Sequence, residues 1–263
     1  MAVEATGRVR LKSVLLYILL FGLCYSAFLV VTFPASLAWR LVESETLVPE
    51  ALSIEQVGGT VWSGNARLSI RLSPLDLHSS GLLNWQIKPA AWLQGRAAGV
   101  VQLESDIGNL QGEVSVSPDA LNLLVNSASL QLERLNPALQ RQRVRLVGTV
   151  SMKNTELSAE NGVITGSRGQ LYWPGGRVTY PVGRQVRSGD FPPFSGLIGF
   201  EDGSVTIGIK DQGAPFDSIT GILSSDGWFK AEVRRRLVDL AGEHWKKNVP
   251  EDQVIASVKR KLY

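Results

Sequence analysis

The chain has 263 residues, with 27 Lys and Arg against 24 Asp and Glu, two His, one Cys and a formal net charge of +3. Arg8, Arg10 and Lys12 precede the first apolar run with only Glu4 beside them, so the remainder is close to neutral and lacks the clustered field that nucleic-acid binding needs. A single cysteine excludes an internal disulfide and suits an oxidising compartment, and His78 and His244 are too far apart in sequence to form a metal-binding spacing.

From Ser13 to Trp39 no residue is charged. The core of this run, Val14 to Thr32, matches the roughly 20 residues with which a helix crosses a bilayer. Val14, Leu15, Leu16, Phe21, Leu29 and Val30 are expected among its membrane-anchoring residues, and Cys24 lies within it. Basic residues before it, with Arg40, Glu43, Glu45 and Glu50 after it, predict a cytoplasmic segment at 1–12 and a membrane anchor at 13–36. Everything beyond is then expected across the membrane, in an oxidising compartment such as the periplasm. Ser36-Leu37-Ala38 would pass as a signal-peptidase site, but the apolar core exceeds the about 7–15 residues of a signal sequence, so a retained single-pass anchor is expected. No Asn-x-Ser/Thr sequon points to a glycosylated ectodomain.

Beyond the anchor the expected fold is mainly β, an antiparallel body of short strands closed by amphipathic helices. Residues 66–73 alternate cleanly, with Leu68, Ile70 and Leu72 on one face and Arg67, Ser69 and Arg71 on the other. Segments 52–62, 81–88, 97–106, 110–117, 144–154, 155–161, 169–182, 196–202, 203–211 and 221–229 continue in this style. Glu201-Asp202-Gly203 and Trp173-Pro174-Gly175-Gly176 read as hairpin turns. Residues 118–136 fit either a short helix from Pro118-Asp119 or a strand over 129–133. Towards the end, Phe229, Val233, Leu237, Leu240 and Trp245 recur at near-helical spacing, and Asn248 with Pro250 could open a second helix. Arg234, Arg235 and Arg236 are expected on the wet side of the first of these helices, with contact to anionic lipid or an acidic partner as the alternative. Tryptophans close strands at Trp62 and Trp173, and a third, Trp85, follows Gly81 in a similar setting, which hints at two β-rich halves, 37–136 and 137–228, before a basic segment at 229–263.

Catalysis is not expected. Trp62-Ser63-Gly64 lacks the flanking glycines of a nucleophile elbow, since Val61 and Asn65 stand in their places. The acidic residues Asp190, Glu201, Asp202 and Asp211 fall on expected turns without a pairing that sequence can establish. No phosphate loop or dinucleotide fingerprint is present, and no cofactor, metal or small-molecule substrate is expected.

Three stretches together resemble protein N of the bacterial type II secretion system: Val57-Gly58-Gly59-Thr60-Val61-Trp62-Ser63-Gly64, Leu83-Asn84-Trp85 followed by Pro89 and Trp92-Leu93-Gln94-Gly95, and Gly166 to Trp173. The resemblance covers roughly residues 15–228. It implies a non-enzymatic accessory component of the inner membrane, partnered by the inner-membrane platform or the outer-membrane secretin and in contact with membrane lipid. It also implies structural roles for Gly59, Thr60, Trp62, Gly64, Trp85, Pro89, Leu93, Gly95 and Trp173. The first of these motifs also resembles segments of AsmA-like periplasmic proteins. That likeness gives the alternative expectation of an anchored lipid-handling module, with acyl chains shielded by the apolar face of a curved sheet.

Overall fold

The computed structural model describes residues 5–42, 52–72, 77–243 and 248–261. Helix α1 (Ala5–Val31) contains the apolar span Ser13–Val31, and none of the span's residues is buried against the rest of the protein. A short helix α2 (Ala35–Val42) follows, opened by Pro34, whose carbonyl accepts from Leu37 and Ala38. Proline suits this position because the missing N–H would have had no partner there.

The body is built from fifteen strands: β1 (Leu52–Gly59), β2 (Ser63–Leu72), β3 (Leu77–Ile87), β4 (Ala97–Ser105), β5 (Gly108–Val116), β6 (Ala120–Gln131), β7 (Thr149–Glu160), β8 (Val163–Trp173), β9 (Gly176–Val182), β10 (Gln185–Phe191), β11 (Phe194–Glu201), β12 (Ser204–Asp211), β13 (Ile219–Ser224), β14 (Trp228–Arg234) and β15 (Val254–Lys261). Thirteen form one antiparallel sheet in chain order, with β8 passing directly to β11. The missing pair, β9 and β10, forms its own two-stranded sheet.

The alternation seen in sequence becomes two chemically distinct faces. Cross-strand partners run in a single row through all thirteen strands: Val57, Ala66, Leu83, Leu103, Leu110, Ala128, Met152, Leu171, Gly196, Ile209, Ile219, Val233 and Ala256. Every member is apolar. The adjacent row, on the other face, reads Gln56, Arg67, Leu82, Glu104, Asn109, Ser129, Ser151, Tyr172, Ser195 and Lys210. A period of two therefore holds across the sheet, not only along each strand.

Two bulges hid part of this pattern from the sequence. The ambiguous stretch 118–136 is mostly the strand β6, in which an extra residue, Asn126, shifts the register between Val125 and Ser127. The apolar face is carried by Leu121, Leu123 and Val125 before it, and by Ala128 and Leu130 after it. Likewise the segments 144–154 and 155–161 meet in one strand, β7, interrupted by a bulge at Asn154 with φ of 46°. Residues 144–148 stay outside it. Between β6 and β7 lie a 3₁₀ turn (Leu132–Leu135), α3 (Asn136–Leu139) and a second 3₁₀ turn (Gln140–Gln142), yet β6 and β7 are hydrogen-bonded neighbours and the sheet is continuous there.

Three further expectations are corrected. Asp202 and Gly203, with φ of 48° and 72°, do make the tight turn of the β11–β12 hairpin. Trp173 to Gly176 does not: Gly175 abuts the backbone of Phe191 and Pro192, and the chain leaves the main sheet as β9. The helix expected from Phe229 is a strand as far as Arg234, because Phe229, Ala231 and Val233 also satisfy a period of two and pair with Leu223, Gly221 and Ile219. Only α4 (Arg236–Leu240) is helical, and the segment read as a second helix is β15. His244 and Trp245 lie outside the described residues.

Candidate functional site at the helix–sheet junction

The first motif lies where the apolar helix meets the sheet. Thr32 ends α1 by donating its hydroxyl to the Phe28 carbonyl at 2.7 Å. Two residues later the backbone is captured: Pro34 bridges Thr60, and the Val61 amide donates to the Phe33 carbonyl at 3.0 Å. The Trp62 indole Nε1 donates to the Val30 carbonyl at 2.8 Å, taking up a carbonyl in the last turn of the helix, where intrahelical partners run out.

The turn that performs this capture explains its composition. Gly59 has φ of 82°, a left-handed conformation suited to glycine. The Thr60 hydroxyl accepts from the Ser63 amide at 3.2 Å, while the Thr60 amide donates to the Ser63 carbonyl at 2.9 Å. A Cβ on Gly64 would collide with the Gly58 carbonyl oxygen and the ring of Trp85. Trp85 on β3 is half-buried and donates from its indole to the Val61 carbonyl at 3.0 Å. Ile87 closes the unit by donating to the Trp62 carbonyl at 2.7 Å.

The second motif completes the junction. Pro89 begins a 3₁₀ turn (Pro89–Gln94) that ends at Gly95, with φ of 71° and its amide donating to the Trp92 carbonyl. This turn places the exposed Trp92 ring 4.9 Å from that of Trp62, tilted by 54°. Leu93 belongs to the same turn. The residues expected to anchor the chain, Val14, Leu15, Leu16, Phe21, Leu29 and Val30, are all exposed on α1. Gly59, Thr60, Trp62, Gly64, Trp85, Pro89 and Gly95 thus share one locality, while Trp173 lies elsewhere. Trp62→Phe would remove one hydrogen bond worth about 1 kcal/mol. Trypsin should then cut native membranes severalfold faster after the exposed Arg40, and an unchanged rate would show that the indole bond does not hold α2 in place.

Trp173 occupies an equivalent setting on β8. Its indole donates to the Val147 carbonyl at 3.0 Å, next to Gly148 with φ of 101°. The sequence Gly-x-Leu-x-Trp occurs on both strands, Gly81 to Trp85 on β3 and Gly169 to Trp173 on β8, and each indole bonds a carbonyl just before the preceding strand, so Trp173 corresponds to Trp85 rather than to Trp62. Each Trp strand is followed by an insert before its next sheet neighbour: the 3₁₀ turn in one case, the β9–β10 hairpin in the other. Trp173 stacks on Phe194 at 5.8 Å, and Phe191 bridges Phe194 to Tyr180. Burial first, and the neighbouring Glu243 second, push the Tyr180 hydroxyl above its ordinary range.

The arginine run takes neither role expected of it. Arg234 donates to the Asp217 carbonyl, and Arg235 to the Val249 carbonyl and the Asp239 carboxylate. Arg236 pairs with Asp211 at 2.8 Å and with Glu251 at 3.0 Å. Asp211 is only 2% exposed and also accepts from the fully buried Ser218. Burial would raise the Asp211 carboxyl, but the Arg236 guanidinium and the Ser218 hydroxyl together hold it below its ordinary value. The run therefore ties β12, β14 and α4 to the segment before β15. No sequence signal gave this, because the acidic partners lie up to 25 residues away.

The remaining polar residues stay dispersed. His78 lies on β3 rather than on a turn, exposed and accepting from Arg71. Asp190 pairs with Arg177 on the β9–β10 hairpin. Among the described residues no group of three His, Cys, Asp or Glu side chains could hold a metal ion. The family model for type II secretion system protein N matches residues 50–244. No curated protein and no solved structure matches the chain.

Proposed function

The chain belongs to the type II secretion system protein N family, and on that premise we propose that it is a non-catalytic component held in the inner membrane by α1, with its sheet in the periplasm docking other secretion proteins. The observation that carries this reading is the hydrogen-bonded junction. Val61 and Trp62 bind the carbonyls of Phe33 and Val30, so the turn between β1 and β2 is bonded directly to the residues that end the apolar span. Trp62 and Trp92 then stand at headgroup level, where aromatic residues with a polar edge are favoured. Gly59, Thr60, Gly64, Trp85, Pro89, Leu93 and Gly95 serve as the frame of that junction, and Trp173 as its counterpart in a second half beginning near residue 137.

The docking edge in this reading is β15. At the other end of the sheet α2 lies beside β1, whereas β15 has β14 on one side and exposed residues along nearly its whole length. Such an edge can accept an extended segment of a partner by strand addition, and Lys259, Arg260 and Lys261 bias it towards acidic segments. Lys259 is held over the Trp228 ring at 4.7 Å, which fixes one of these charges in place.

Affinity capture of the full-length chain from cells treated with an amine-reactive crosslinker tests this. Peptides joining Lys259 or Lys261 to a platform or secretin subunit are expected. Recovery of those subunits through other positions would move the docking surface, and recovery of none would overturn the docking reading.

A further inference from the structure

The apolar face of the sheet lacks a second layer proportionate to its size. A compact monomer of 28.6 kDa would expose about 11,000 Å², whereas this chain exposes 18012 Å². The bare helix α1 supplies part of that excess. On the sheet, Leu83, Leu103, Leu157, Ile207 and Leu223 are half-buried, not buried, although all point to the apolar side. Only ten apolar residues among those described are buried.

Glycines show which way the sheet bends. A Cβ on Gly81, Gly99 or Gly112, all on the apolar face, would lie 2.9, 2.7 and 2.5 Å from a main-chain oxygen of the neighbouring strand. On Gly64 and Gly108 it would collide outright with the oxygens of Gly58 and Ser129. In a flat sheet a Cβ stands clear of the neighbouring backbone, so at these positions the next strand curls over the apolar side. On the polar face, Gly58, Gly166, Gly199 and Gly208 would meet side chains only, as would Gly169, Gly196 and Gly221 on the apolar face of β8, β11 and β13. The apolar face is therefore concave over β1–β6, and it continues uncharged along its central row to β15.

We propose that this concave apolar face holds acyl chains of phospholipid taken from the membrane in which α1 is anchored. The inference rests on the anchoring proposed above and is independent of the docking edge. Three features select this occupant. The apolar row begins on β1 and β2, the strands bonded to the end of α1, so it is continuous with the bilayer surface. It runs through thirteen strands at about 4.8 Å spacing, a track of roughly 60 Å. Its row of cross-strand partners carries no charge from Val57 to Ala256, and its glycine hollows alternate with leucine and isoleucine ridges, a relief that flexible chains fill more readily than a second rigid sheet does.

The test places a photoreactive p-benzoylphenylalanine at Leu103, Leu157 or Ile207 on the apolar face, and at Gln102, Ser158 or Thr206 on the other. The full-length chain is expressed in bacteria labelled with radioactive phosphate, extracted in a maltoside detergent, washed free of bulk lipid and then irradiated. Sheet content by circular dichroism selects the variants that have folded. Labelled phospholipid is expected on the chain at the three apolar-face positions and absent at the other three. Ile207 is the most telling, because β12 lies eight strand spacings from β2, roughly 40 Å from the membrane junction. Label on both faces or on neither overturns the proposal. Adducts of twice the chain's mass, or with another protein, would assign the face to a second copy or to that protein instead. Recovery of the chain in carbonate-washed membranes tests the anchor alone, so failure of that reading is separable from failure of this one.

Discussion

Replacing Trp85 by Ala is expected to lower the stability of the sheet by about 3 kcal/mol. The indole fills the space above Gly64, whose missing Cβ admits it, and satisfies the Val61 carbonyl at 3.0 Å. Truncation opens a cavity on the apolar face and leaves that carbonyl without its donor, and the two losses act at the turn that receives the end of α1. For a body of this size the melting midpoint should fall by roughly 10 °C. Trp85→Phe, which retains most of the apolar volume and loses the hydrogen bond, should show a smaller shift of about 1 kcal/mol. An unchanged midpoint for Trp85→Ala would place the ring on a binding surface. The equivalent geometry of Trp173 predicts a comparable loss for Trp173→Ala, and a much smaller one would mean that the two tryptophans share a pattern without sharing its energetic role.

Trp85 also shows what a sequence can and cannot convey. That it sits in a strand was legible, because Gly81 to Lys88 alternates with Leu83 and Trp85 on one face. That its partner is the Val61 carbonyl was not, since this depends on the β2–β3 register, which places Gly64 opposite Trp85. The apolar span was legible for a different reason: nineteen residues, Ser13–Val31, without a charge leave few alternatives.

Two of the misread segments share one cause. Periodicity is a reliable guide only while the register is unbroken, and at Asn126 and Asn154 a single extra residue turns the next side chains to the opposite face. Beyond Trp228 the difficulty is brevity. Phe229 and Val233 lie four apart, as on a helix, but Ala231 between them completes a strand pattern, and the helix that does follow spans only Arg236–Leu240. Pairing with β13 decides in favour of the strand. Propensity over so few residues is weak beside a complete set of ladder partners.

The arginine run makes the same point about charge, and it carries the second large prediction. Asp211→Asn should cost about 3 kcal/mol, because it removes the anionic partner of Arg236 from a site where the carboxylate is 2% exposed. Glu251 continues to pair with Arg236, which keeps the loss near the lower end for a broken buried pair. The pH dependence gives an independent check. The folded Asp211 carboxyl lies below its ordinary value, so the folded state favours the ionised form. Its contribution is therefore fully present above the unfolded value of about 3.9 and is lost as pH falls through the depressed folded value. Wild type and Asp211→Asn should differ by a constant amount from neutral pH down to about 4 and converge below it. The exposed pairs Arg168–Glu156 and Arg177–Asp190 lie in water and should add little to this acid limb. Urea midpoints of the two proteins at a series of pH values would read the effect directly. Parallel curves through the acid range would show that Asp211 is not held ionised by Arg236, and that the link from β12 to α4 rests on packing alone.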